Sequence, residues 1–503
     1  MDAPVIIVGA GPVGLSLALG LARYRVRSIL FERNAEPVPE SRALIIWPRT
    51  LEIMRDWGAY DALRAEGTFL TRFKMVNAAT GRQLICVDFR NVEDIVEDPG
   101  ILVLPQSDTE RILRDLVNQN PYCELRTGAE VTAIEQQTQY VDAKVKDANG
   151  ETTVRGTYLI GCDGAHGLVR HAMGLTLEGV TYDARVLLSD EIVDRDIRDD
   201  ETMRVFLDQP GFVGGVRFGP RAWRMMTLIG KDADDATAMG SASHDERLHK
   251  VFGCRMTSRT TWTSIFKIHR RHAQRFVIGR VALAGDAAHV NSPAGGQGMN
   301  SGIHDAANLA WKLSYILNGA GDCASLFESY DIERREMVTD TIERYTDRLT
   351  RMGLTFPPRA RAIALRLFSR AMRGVGMQRK VCRALGMLSG RYTKSPIVDT
   401  RHPLAGKRIP DLLLPDGERI NRLRNGNPAV VLAGDADMEG LPVIRIPAAP
   451  KRWHVKLPVA LIVRPDGCVA AVVEKPTRAN IETAWNRAFC DAVPLPERAV
   501  AKS

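Results

Sequence analysis

The stretch VIIVGAGPVGLSLALGLARYRVRSILFERN, residues 5–34, decides the fold of the N-terminal part of the chain. It reads as an apolar strand, a glycine turn, a helix and a second apolar strand. The turn carries the spacing G-x-G-x-x-G at Gly9, Gly11 and Gly14. The first glycine permits a tight turn, the second lets the backbone approach a pyrophosphate, and the third lets helix and strand pack closely. The stretch therefore predicts a β-α-β unit that binds a dinucleotide.

An acidic residue closes the second strand of this unit. Glu32 follows the glycines by about twenty residues, the spacing at which a carboxylate accepts hydrogen bonds from an adenosine ribose. A carboxylate at this place disfavours a 2′-phosphate, so the ligand is FAD or NAD rather than NADP.

Two later segments repeat the order of strand, turn and helix. They are LIGCDGAHGLVR, residues 159–170, and VALAGDAAHVNSPAGGQGMNSGIHDAANLAWKL, residues 281–313. Ligands of an open α/β sheet collect at the carboxyl ends of its strands. Asp286 lies at such an end, and its carboxylate would accept hydrogen bonds from a ribityl chain, which FAD has and NAD lacks. The last segment therefore favours FAD.

Three side chains in these segments have competing interpretations. His289 could act as a catalytic acid or base, or it could bond locally within its own turn, and we favour the local bond. Asp163 and Arg170 could serve the dinucleotide site, or the aspartate could cap its helix and pair with the arginine. The sequence leaves this second choice open.

The remaining sequence predicts an α/β protein in five parts. A strand-rich segment that alternates apolar and polar residues interrupts the dinucleotide-binding part, which indicates an inserted antiparallel sheet. Asn149-Gly150, between two alternating runs, predicts a hairpin turn. The parts are a first dinucleotide-binding segment at 1–175, the substrate-binding sheet at 176–275, a second dinucleotide-binding segment at 276–350, a basic helical connection at 351–398 and a small α/β unit at 399–503.

The inserted sheet is expected to form the roof of a substrate pocket. Its strands carry large side chains, and alternation means that half of them face away from the pocket. The sequence does not tell which half. The residues concerned are Phe206, Phe212, Arg217, Phe218, Trp223 and Met225.

Residues 348–398 contain no acidic residue, while about a dozen Lys and Arg interleave with Leu, Ile and Met at helical spacing. A basic amphipathic helix can lie on a membrane. The alternative is a helix that packs against an acidic surface of the same protein or faces water. We favour this alternative and do not expect membrane association.

The composition fits a globular protein of the cytoplasm. Hydrophobic residues make up 45% and charged residues 25% of the 503 residues, which is ordinary for such a protein. The net charge of +8 is not concentrated in one basic block, so no nucleic-acid partner is expected. Eight single cysteines without CxxC or a His/Cys cluster predict no metal site and suit a reducing compartment. The uncharged run at residues 5–22 is broken by glycines and by Pro12 and lacks a preceding positive residue, so we expect no targeting or transmembrane segment.

The chain resembles the group A flavoprotein monooxygenases, which are FAD-dependent aromatic hydroxylases. The resemblance rests on GAGPVGL, CDGAHGLVR and GDAAHVNSPAGGQGMNSGIHDAANLAWKL in that order, with ESRALIIWPRTLEIMRDWG and LPQSDTERIL in support. It implies a glutathione-reductase-type Rossmann FAD domain with an inserted antiparallel β-sheet substrate domain. VRPDGCVAAV is similar to a strand pair of the C-terminal thioredoxin-like domain in the phenol hydroxylase and aromatic polyketide hydroxylase branch. Residues 399–503 are therefore expected to form such a domain without CxxC.

The resemblance also implies which residues contact FAD. From the adenosine end to the flavin end, they are the pyrophosphate turn Gly9, Gly11, Pro12, Val13 and Gly14, the ribose contacts Glu32 and Arg33, the ribityl and phosphate contacts Gln106 and Asp286, the bridging Asp163, the flavin-side Arg42, and Gly296, Gly298, Met299 and Asn300 against the pyrimidine ring.

The substrate is expected near Pro293, which would lie over the flavin, and near Ile46 and Trp47. Some relatives carry a polar active-site residue after the sequence SRA, but this chain reads LIIW at residues 44–47. This departure leaves the catalytic base unassigned. It suggests an apolar pocket for a ring system, or a substrate that ionises easily.

The family chemistry implied by the resemblance has two halves. NADPH or NADH reduces FAD, and reduced FAD reacts with O₂ to form a C4a-hydroperoxide that hydroxylates a phenolic or polycyclic aromatic substrate. No second complete G-x-G-x-x-G is present, so the nicotinamide nucleotide would bind transiently at the surface. Epoxidation or Baeyer–Villiger oxidation on the same scaffold, a non-catalytic FAD-binding adaptor at a membrane surface, and a homodimer stay open as alternatives.

Overall fold

The computed structural model of the chain describes residues 4–37, 43–77, 80–194, 203–208, 211–230, 232–252, 257–291, 295–319, 324–343, 358–436, 438, 441–491 and 494–495. Two residues that the sequence assigns to the site, Arg42 and Pro293, lie outside these ranges.

The strands of the described part, in chain order, are β1 (Val5–Val8), β2 (Ser28–Glu32), β3 (Ile45–Ile46), β4 (Thr68–Leu70), β5 (Arg72–Asn77), β6 (Gln83–Asp88), β7 (Ile101–Val103), β8 (Cys123–Thr127), β9 (Glu130–Gln136), β10 (Val141–Asp147), β11 (Gly150–Gly156), β12 (Tyr158–Gly161), β13 (Leu177–Val193), β14 (Met203–Asp208), β15 (Gly211–Arg217), β16 (Ala222–Gly230), β17 (Ser258–Ala273), β18 (Val277–Ile278), β19 (Val281–Leu283), β20 (His289–Val290), β21 (Ala429–Ala433), β22 (Val443–Ile446), β23 (Val459–Val463) and β24 (Val469–Glu474).

The helices of the same ranges are α1 (Pro12–Arg23), α2 (Pro48–Asp56), α3 (Tyr60–Glu66), α4 (Gln106–Asn118), α5 (Leu168–Ala172), α6 (Asp235–Met239), α7 (Ser241–Phe252), α8 (Gly298–Asn318), α9 (Ala324–Glu336), which continues as a π-helical stretch at Met337–Glu343, α10 (Pro358–Ala371), α11 (Val375–Leu385), α12 (Ile420–Arg424) and α13 (Arg478–Phe489).

A six-stranded sheet in the order β18-β19-β12-β1-β2-β8 carries the first glycine turn. Its pairs are parallel except at the edge, where β18 and β19 are antiparallel. β1 is buried at every residue, as expected for a parallel strand covered on both faces. Val8 lies beside Gly161, and Gly161 lies beside Leu283. The turns that follow β1, β12 and β19 therefore meet at one edge of the sheet.

A three-stranded antiparallel sheet in the order β11-β10-β9 lies next to this body. Asp147 and Gly150 are partners across the β10–β11 hairpin, so the predicted hairpin is confirmed. Its two turn residues are Ala148 and Asn149, one position earlier than predicted, and Gly150 begins β11.

An eight-stranded sheet in the order β20-β17-β13-β16-β15-β14-β5-β6 forms the second body. The predicted strand-rich segment supplies β13 to β17, while β5 and β6 come from residues 72–88 and β20 follows the turn after β19. Its pairs are antiparallel except for β14 and β5, which are parallel. The sheet is therefore connected at β20 to the same turn that closes the first body.

The C-terminal unit has a four-stranded sheet in the order β22-β21-β23-β24 and docks onto α8. Trp311 of α8 contacts Phe489 of α13 edge to face, with ring centroids 5.9 Å apart. Glu333 of α9 accepts hydrogen bonds from Arg464 (2.6 Å) and from Lys312 of α8 (2.9 Å), and all three side chains are buried. Removing one partner of a buried ion pair leaves an uncompensated charge, so this cluster ties the unit to the body that carries the glycine turns.

Helices α10 and α11 lie against β6, the last strand of the eight-stranded sheet. Gln378 of α11 donates to the Cys86 carbonyl (2.8 Å) and accepts from the Asp88 backbone N–H (3.1 Å). Met372 is buried in the cluster that contains Val87. The two helices thus cover a strand edge that would otherwise expose its backbone groups. In the described ranges no helix is long and apolar enough to span a membrane.

Candidate functional site

The first glycine turn requires glycine at two positions, because a side chain there would collide with the backbone. A Cβ on Gly9, whose φ is +99°, would lie 2.5 Å from the carbonyl oxygen of Cys162, and a Cβ on Gly14 would collide with the carbonyl oxygen of Gly9. A Cβ on Gly11 would meet nothing within 4 Å. Gly11 is also the N-cap of α1, and no side chain caps that helix. Open space therefore lies in front of the uncapped N–H groups of α1, which is the arrangement that accepts phosphate oxygens.

Glu32 is half-buried at the end of β2 and holds this turn. Its Oε2 accepts a hydrogen bond from the Ala10 backbone N–H (3.0 Å), and its Oε1 accepts from the backbone and side-chain amides of Asn34 (3.0 and 2.9 Å). A carboxylate has about four lone-pair sites, so acceptor capacity remains for a ribose hydroxyl. Arg33 is exposed beside it.

The second turn is held by Asp163 and Arg170, which act separately. Asp163 Oδ2 accepts a hydrogen bond from the Val169 backbone N–H (2.9 Å) and so caps α5. Asp163 Oδ1 is buried and accepts no hydrogen bond from the residues that the structure describes. Burial raises the pKa of this carboxyl. An orphaned buried acceptor marks a place where a ligand or water supplies the missing donor.

Arg170 connects the second turn to the third rather than forming an ion pair with Asp163 in the described part of the chain. Its guanidinium donates to the carbonyl oxygens of Ala165 (2.5 Å) and Ala287 (3.0 Å). Asp163 therefore caps its helix, as the second interpretation predicted, while Asp163 and Arg170 interact by charge without a direct ion pair.

Val13 packs the first turn against the third. A Cβ on Gly285, whose φ is +63°, would lie 2.8 Å from Val13 Cγ2, and a Cβ on Gly302 would lie 2.5 Å from the same atom. Asp286 follows Gly285 and is exposed, while its neighbours on both sides are buried. The third turn therefore presents one carboxylate outward, next to the open space at the start of α1.

A buried polar network lies behind Asp286. Asp305 of α8 accepts hydrogen bonds from the Gly285 backbone N–H (2.9 Å) and from Arg334 Nε (2.6 Å), and it contacts His289 Nε2 at 2.7 Å. Burial alone would raise the pKa of Asp305, but His289 and Arg334 outweigh it and lower the pKa to about 2. His289 is buried and its other nitrogen contacts Asn291 at 3.1 Å. It therefore makes a local contact, as favoured from the sequence, and a second, shorter contact to Asp305 in α8.

The third turn ends in a glycine loop that is hydrogen-bonded to the side chain of Trp47. The indole N–H of Trp47 lies 3.1 Å from the carbonyl oxygens of both Gly295 and Gly296, whose φ angles are +90° and +61°. Trp47 and its neighbour Ile46 are fully buried. Trp47 thus positions the loop rather than facing open space.

Asn300 completes this support from within α8. Its Oδ1 accepts from the Trp47 backbone N–H (3.0 Å), and its Nδ2 donates to the carbonyl oxygens of Ile45 (2.8 Å) and Gly296 (3.0 Å). Gly298 begins α8, no side chain caps the helix, and a Cβ on Gly298 would meet nothing within 4 Å. Met299 follows, half-buried. The positive end of α8 is therefore open toward the space beside the loop.

A contact that sequence reasoning missed joins the eight-stranded sheet to the segment after Arg42. Arg224 of β16 pairs with Asp190 of β13 through two bonds (2.7 and 2.8 Å) and donates to the Ala43 carbonyl (3.1 Å). Gln106 accepts from the Ala43 backbone N–H (3.1 Å) and donates to Glu110 (2.8 Å). A charged residue within the apolar alternation of β16 was the only signal for Arg224.

The bond from Arg224 to Ala43 also shows which face of β16 is directed toward the segment that begins at Ala43. Trp223 and Met225 are buried against α7, whereas Arg224 reaches Ala43 and Met226 packs against the cluster that contains Trp47. Phe218 packs against that same cluster. Of the side chains proposed from the sequence, Phe218 therefore faces the segment that contains Leu44 and Trp47, and Trp223 and Met225 face away. The side chains of Phe206 and Phe212 lie outside the described part.

A cavity of about 390 Å³ lies behind α8, between that helix, residues 384–408 and the C-terminal unit. Its lining includes His304, Tyr392 and Asp466, but none of residues 9–14. Burial, followed by the charges of Arg334 and Arg49, holds the pKa of His304 well below its usual range. The cavity therefore does not reach the first turn, although Gln297, the residue before α8, is part of its lining.

The chain is similar to known FAD-binding monooxygenases. The family described as FAD binding domain matches residues 2–345. The chain is 36% identical over 338 residues to 6-methylpretetramide 4-monooxygenase of Streptomyces rimosus, an alignment that covers 66% of this chain and 59% of that protein. It is 31% identical over 441 residues to 12-dehydrotetracycline 5-monooxygenase/anhydrotetracycline 6-monooxygenase of Streptomyces rimosus subsp. rimosus, covering 82% of each. The solved structure of OxyS anhydrotetracycline hydroxylase from Streptomyces rimosus aligns with a TM-score of 0.78 at 27% identity, over 98% of this chain and 100% of that chain.

Proposed function

Because this chain belongs to the FAD-dependent aromatic hydroxylases, the group A flavoprotein monooxygenases, we propose that it uses NADPH or NADH and O₂ to hydroxylate a phenolic or polycyclic aromatic substrate. The observation that carries the proposal is the meeting of three turns at one sheet edge, with Asp286 exposed beside two uncapped helix N-termini. The named relatives oxygenate 6-methylpretetramide and anhydrotetracycline, which supports a polycyclic aromatic substrate here.

The residues present fit FAD along its whole length. The start of α1 at Gly11 would hold the pyrophosphate, and Glu32 would accept from the adenosine ribose. Asp286 would accept from the ribityl hydroxyls. The family resemblance implies that Gln106 and Arg33 contact these groups and that Arg42 contacts the flavin side.

The loop from Gly295 to Gly298 would seat the pyrimidine edge of the flavin. Left-handed backbone at Gly295 and Gly296 permits a close approach that a side chain would block. The positive end of α8 would then face the flavin N1 and C2=O, where negative charge develops on reduction. The role of Trp47 and Asn300 is to keep this loop fixed.

When bound, FAD supplies the oxygen-transfer chemistry, through the C4a-hydroperoxide that the family resemblance implies. This chain would orient the substrate and exclude water around it. Leu44 and Ile45 are apolar. They follow Ala43, whose carbonyl oxygen accepts a hydrogen bond from Arg224. No described side chain there is a base, so we propose that the substrate enters as an easily ionised phenol.

We also propose domain identities for the parts of the chain. Residues 1–175 and 276–350 form the Rossmann-type FAD domain, residues 176–275 the substrate sheet, residues 351–398 the basic connection, and residues 399–503 a thioredoxin-like domain. The last assignment is supported by the mixed four-stranded sheet β22-β21-β23-β24 with α13 packed on it. The unit has no CxxC, so it lacks the dithiol pair of a thioredoxin-type redox site.

The test is a substrate panel with the purified flavoprotein. NAD(P)H oxidation and O₂ uptake are followed for phenols and polycyclic quinones after full FAD occupancy has been confirmed by absorbance. We expect at least one aromatic compound to stimulate both rates, and product analysis to separate hydroxylation from epoxidation or Baeyer–Villiger insertion. A fully flavinylated protein that no aromatic compound stimulates would contradict the proposal.

A further inference from the structure

Helix α10 carries an apolar surface that its own packing does not use. Ile363 and Leu367 are 57% and 65% exposed, and Val375, at the start of α11, is 63% exposed. Successive residues of a helix turn by about 100°, so Ile363 and Leu367 share one face and the buried Met372 lies on the opposite one. The inner face packs on β6, and the outer face has no cover among the described residues.

Cationic side chains frame this apolar face. Arg366 and Arg370 lie beside Ile363 and Leu367 on the helix, and Arg373 and Lys380 follow. All four are exposed, and their side chains make no hydrogen bond or ion pair with a residue in the described ranges. Arg379 differs, because it pairs with Asp94 (2.9 Å) on the inner side. Of the two possibilities considered from the sequence, an acidic surface of the same protein or water, the described residues show an acidic partner for Arg379 on the inner face.

We propose that this surface binds an anionic lipid membrane. The α10 surface consists of an apolar set, Ile363, Leu367 and Val375, and a cationic set, Arg366, Arg370, Arg373 and Lys380. Helices that lie in the membrane interface combine apolar side chains on one face with flanking Arg and Lys. The apolar set enters the boundary between headgroups and acyl chains, and the cationic set attracts anionic headgroups. The helix is already folded against β6, so binding does not have to order it.

A second copy of the chain fits this surface less well. A two-fold symmetric contact places the same patch against itself, which would bring the four cations of each copy together. Like charges facing each other across an interface oppose association. Anionic lipid matches both the apolar and the cationic set, and this is why we choose it.

The experiment uses the FAD-loaded full chain without substrate, so that its outcome is independent of the hydroxylase proposal. The protein is sedimented with vesicles of phosphatidylcholine alone and of phosphatidylcholine mixed with phosphatidylglycerol. We expect binding to the mixed vesicles only, and weaker binding as NaCl is raised. Leu367→Glu and the double variant Arg366→Glu/Arg370→Glu should each reduce the vesicle-bound fraction at least about tenfold.

Leu413→Glu is the matched control. Leu413 is 61% exposed in the C-terminal unit, and the substitution changes the net charge by the same amount as Leu367→Glu. It should bind mixed vesicles like the parent chain. Unchanged flavin content and melting temperature in all variants confirm folding.

Three results would overturn the proposal. The parent chain could fail to sediment with mixed vesicles. Leu413→Glu could lose as much vesicle binding as Leu367→Glu. The loss would then be explained by the change in net charge and not by the α10 surface. A parent dimer in analytical ultracentrifugation that Leu367→Glu makes monomeric would assign the surface to a protein contact instead.

Discussion

The first and third glycine turns of the site are held in shape by different means. In the first, Gly9 and Gly14 have no room for a side chain, because backbone packs directly on backbone. In the third, Asp305 binds the turn through a buried ionic network with Arg334. The first turn is therefore set by local residue choice, while the third depends on partners brought in by the fold.

This difference matters for the two ends of the cofactor. The adenosine end needs only N–H groups and one carboxylate, which a short local motif can supply. The flavin end needs a fixed loop and an open helix terminus, and preorganised groups stabilise developing charge best when they do not have to move. A network that spans several segments provides that rigidity.

Gly14→Ala should have the largest combined effect, on stability and on FAD binding together. Alanine would gain about 1 kcal/mol of helix propensity over glycine, but its Cβ would collide with the Gly9 carbonyl oxygen, a backbone atom that cannot move cheaply. We expect a net loss of about 3 kcal/mol in the free energy of unfolding, together with loss of bound FAD. Urea unfolding and the ratio of flavin to protein absorbance measure both.

Gly11→Ala is the control for that substitution. Its Cβ would meet nothing within 4 Å, and the backbone there is extended, with φ of −74°. Stability should change by less than about 0.5 kcal/mol, while the methyl group enters the phosphate space and weakens FAD binding. Equal destabilisation by Gly14→Ala and Gly11→Ala would contradict the steric explanation of the first turn.

Asp305→Asn tests the third turn. It leaves Arg334 buried beside a neutral amide, and breaking a buried pair costs about 3 kcal/mol or more. Asp142→Asn, which breaks an exposed pair with Arg155, should change stability little. If the two variants unfold at the same urea concentration, the network does not hold the turn.

The contribution of Asp305 to the free energy of unfolding should depend on pH. The pKa of Asp305 is lowered to about 2 in the folded chain, and about 3.9 is ordinary for an unfolded chain. Its contribution is therefore complete above about pH 4 and is lost as the pH falls toward 2. The stability difference between the parent chain and Asp305→Asn should shrink over this window, as followed by thermal unfolding at stepwise lower pH. A constant difference would mean that ionised Asp305 is not the source.

Asp286→Ala should leave the fold intact and weaken FAD. The side chain is exposed, so the stability of the apoprotein should change much less than the affinity for FAD. Loss of charge-assisted hydrogen bonds to ribityl hydroxyls, each worth about 1.5–3 kcal/mol, predicts an increase of at least about tenfold in the FAD dissociation constant. Fluorescence titration of the apoprotein with FAD measures it, and an unchanged constant would refute the ribityl assignment.

Trp47→Phe should have the smallest effect. It keeps the ring and removes the indole N–H bonds to the loop, so we expect a loss of about 1 kcal/mol and FAD binding weakened a few-fold. Trp223→Phe is matched to it, because the Trp223 indole N–H is buried without a partner in the described part of the chain. FAD affinity should stay unchanged there. If Trp223→Phe weakened FAD binding more than Trp47→Phe did, the residue that positions the FAD site would lie in the substrate sheet instead.

The same comparison explains what could be predicted from the sequence. The strand, turn and helix at residues 5–23 and the hairpin at Asn149-Gly150 follow from local spacing. The bond from Trp47 to Gly295 joins residues 248 positions apart, and no local pattern encodes it. The same holds for the bond from Arg224 to Ala43 and for the pairing of β14 with β5. Long-range pairing of strands and buried polar groups is set by packing, which a single sequence does not reveal.

The most direct test of the account is the fate of heavy-isotope O₂ during turnover with an aromatic compound that stimulates NAD(P)H oxidation. We predict that the product carries one labelled oxygen atom on its ring for each NAD(P)H consumed, and that Asp286→Ala regains this coupling when FAD is supplied in excess. Stimulated NAD(P)H oxidation in which all the labelled oxygen appears as hydrogen peroxide, for every aromatic compound tried, would contradict it.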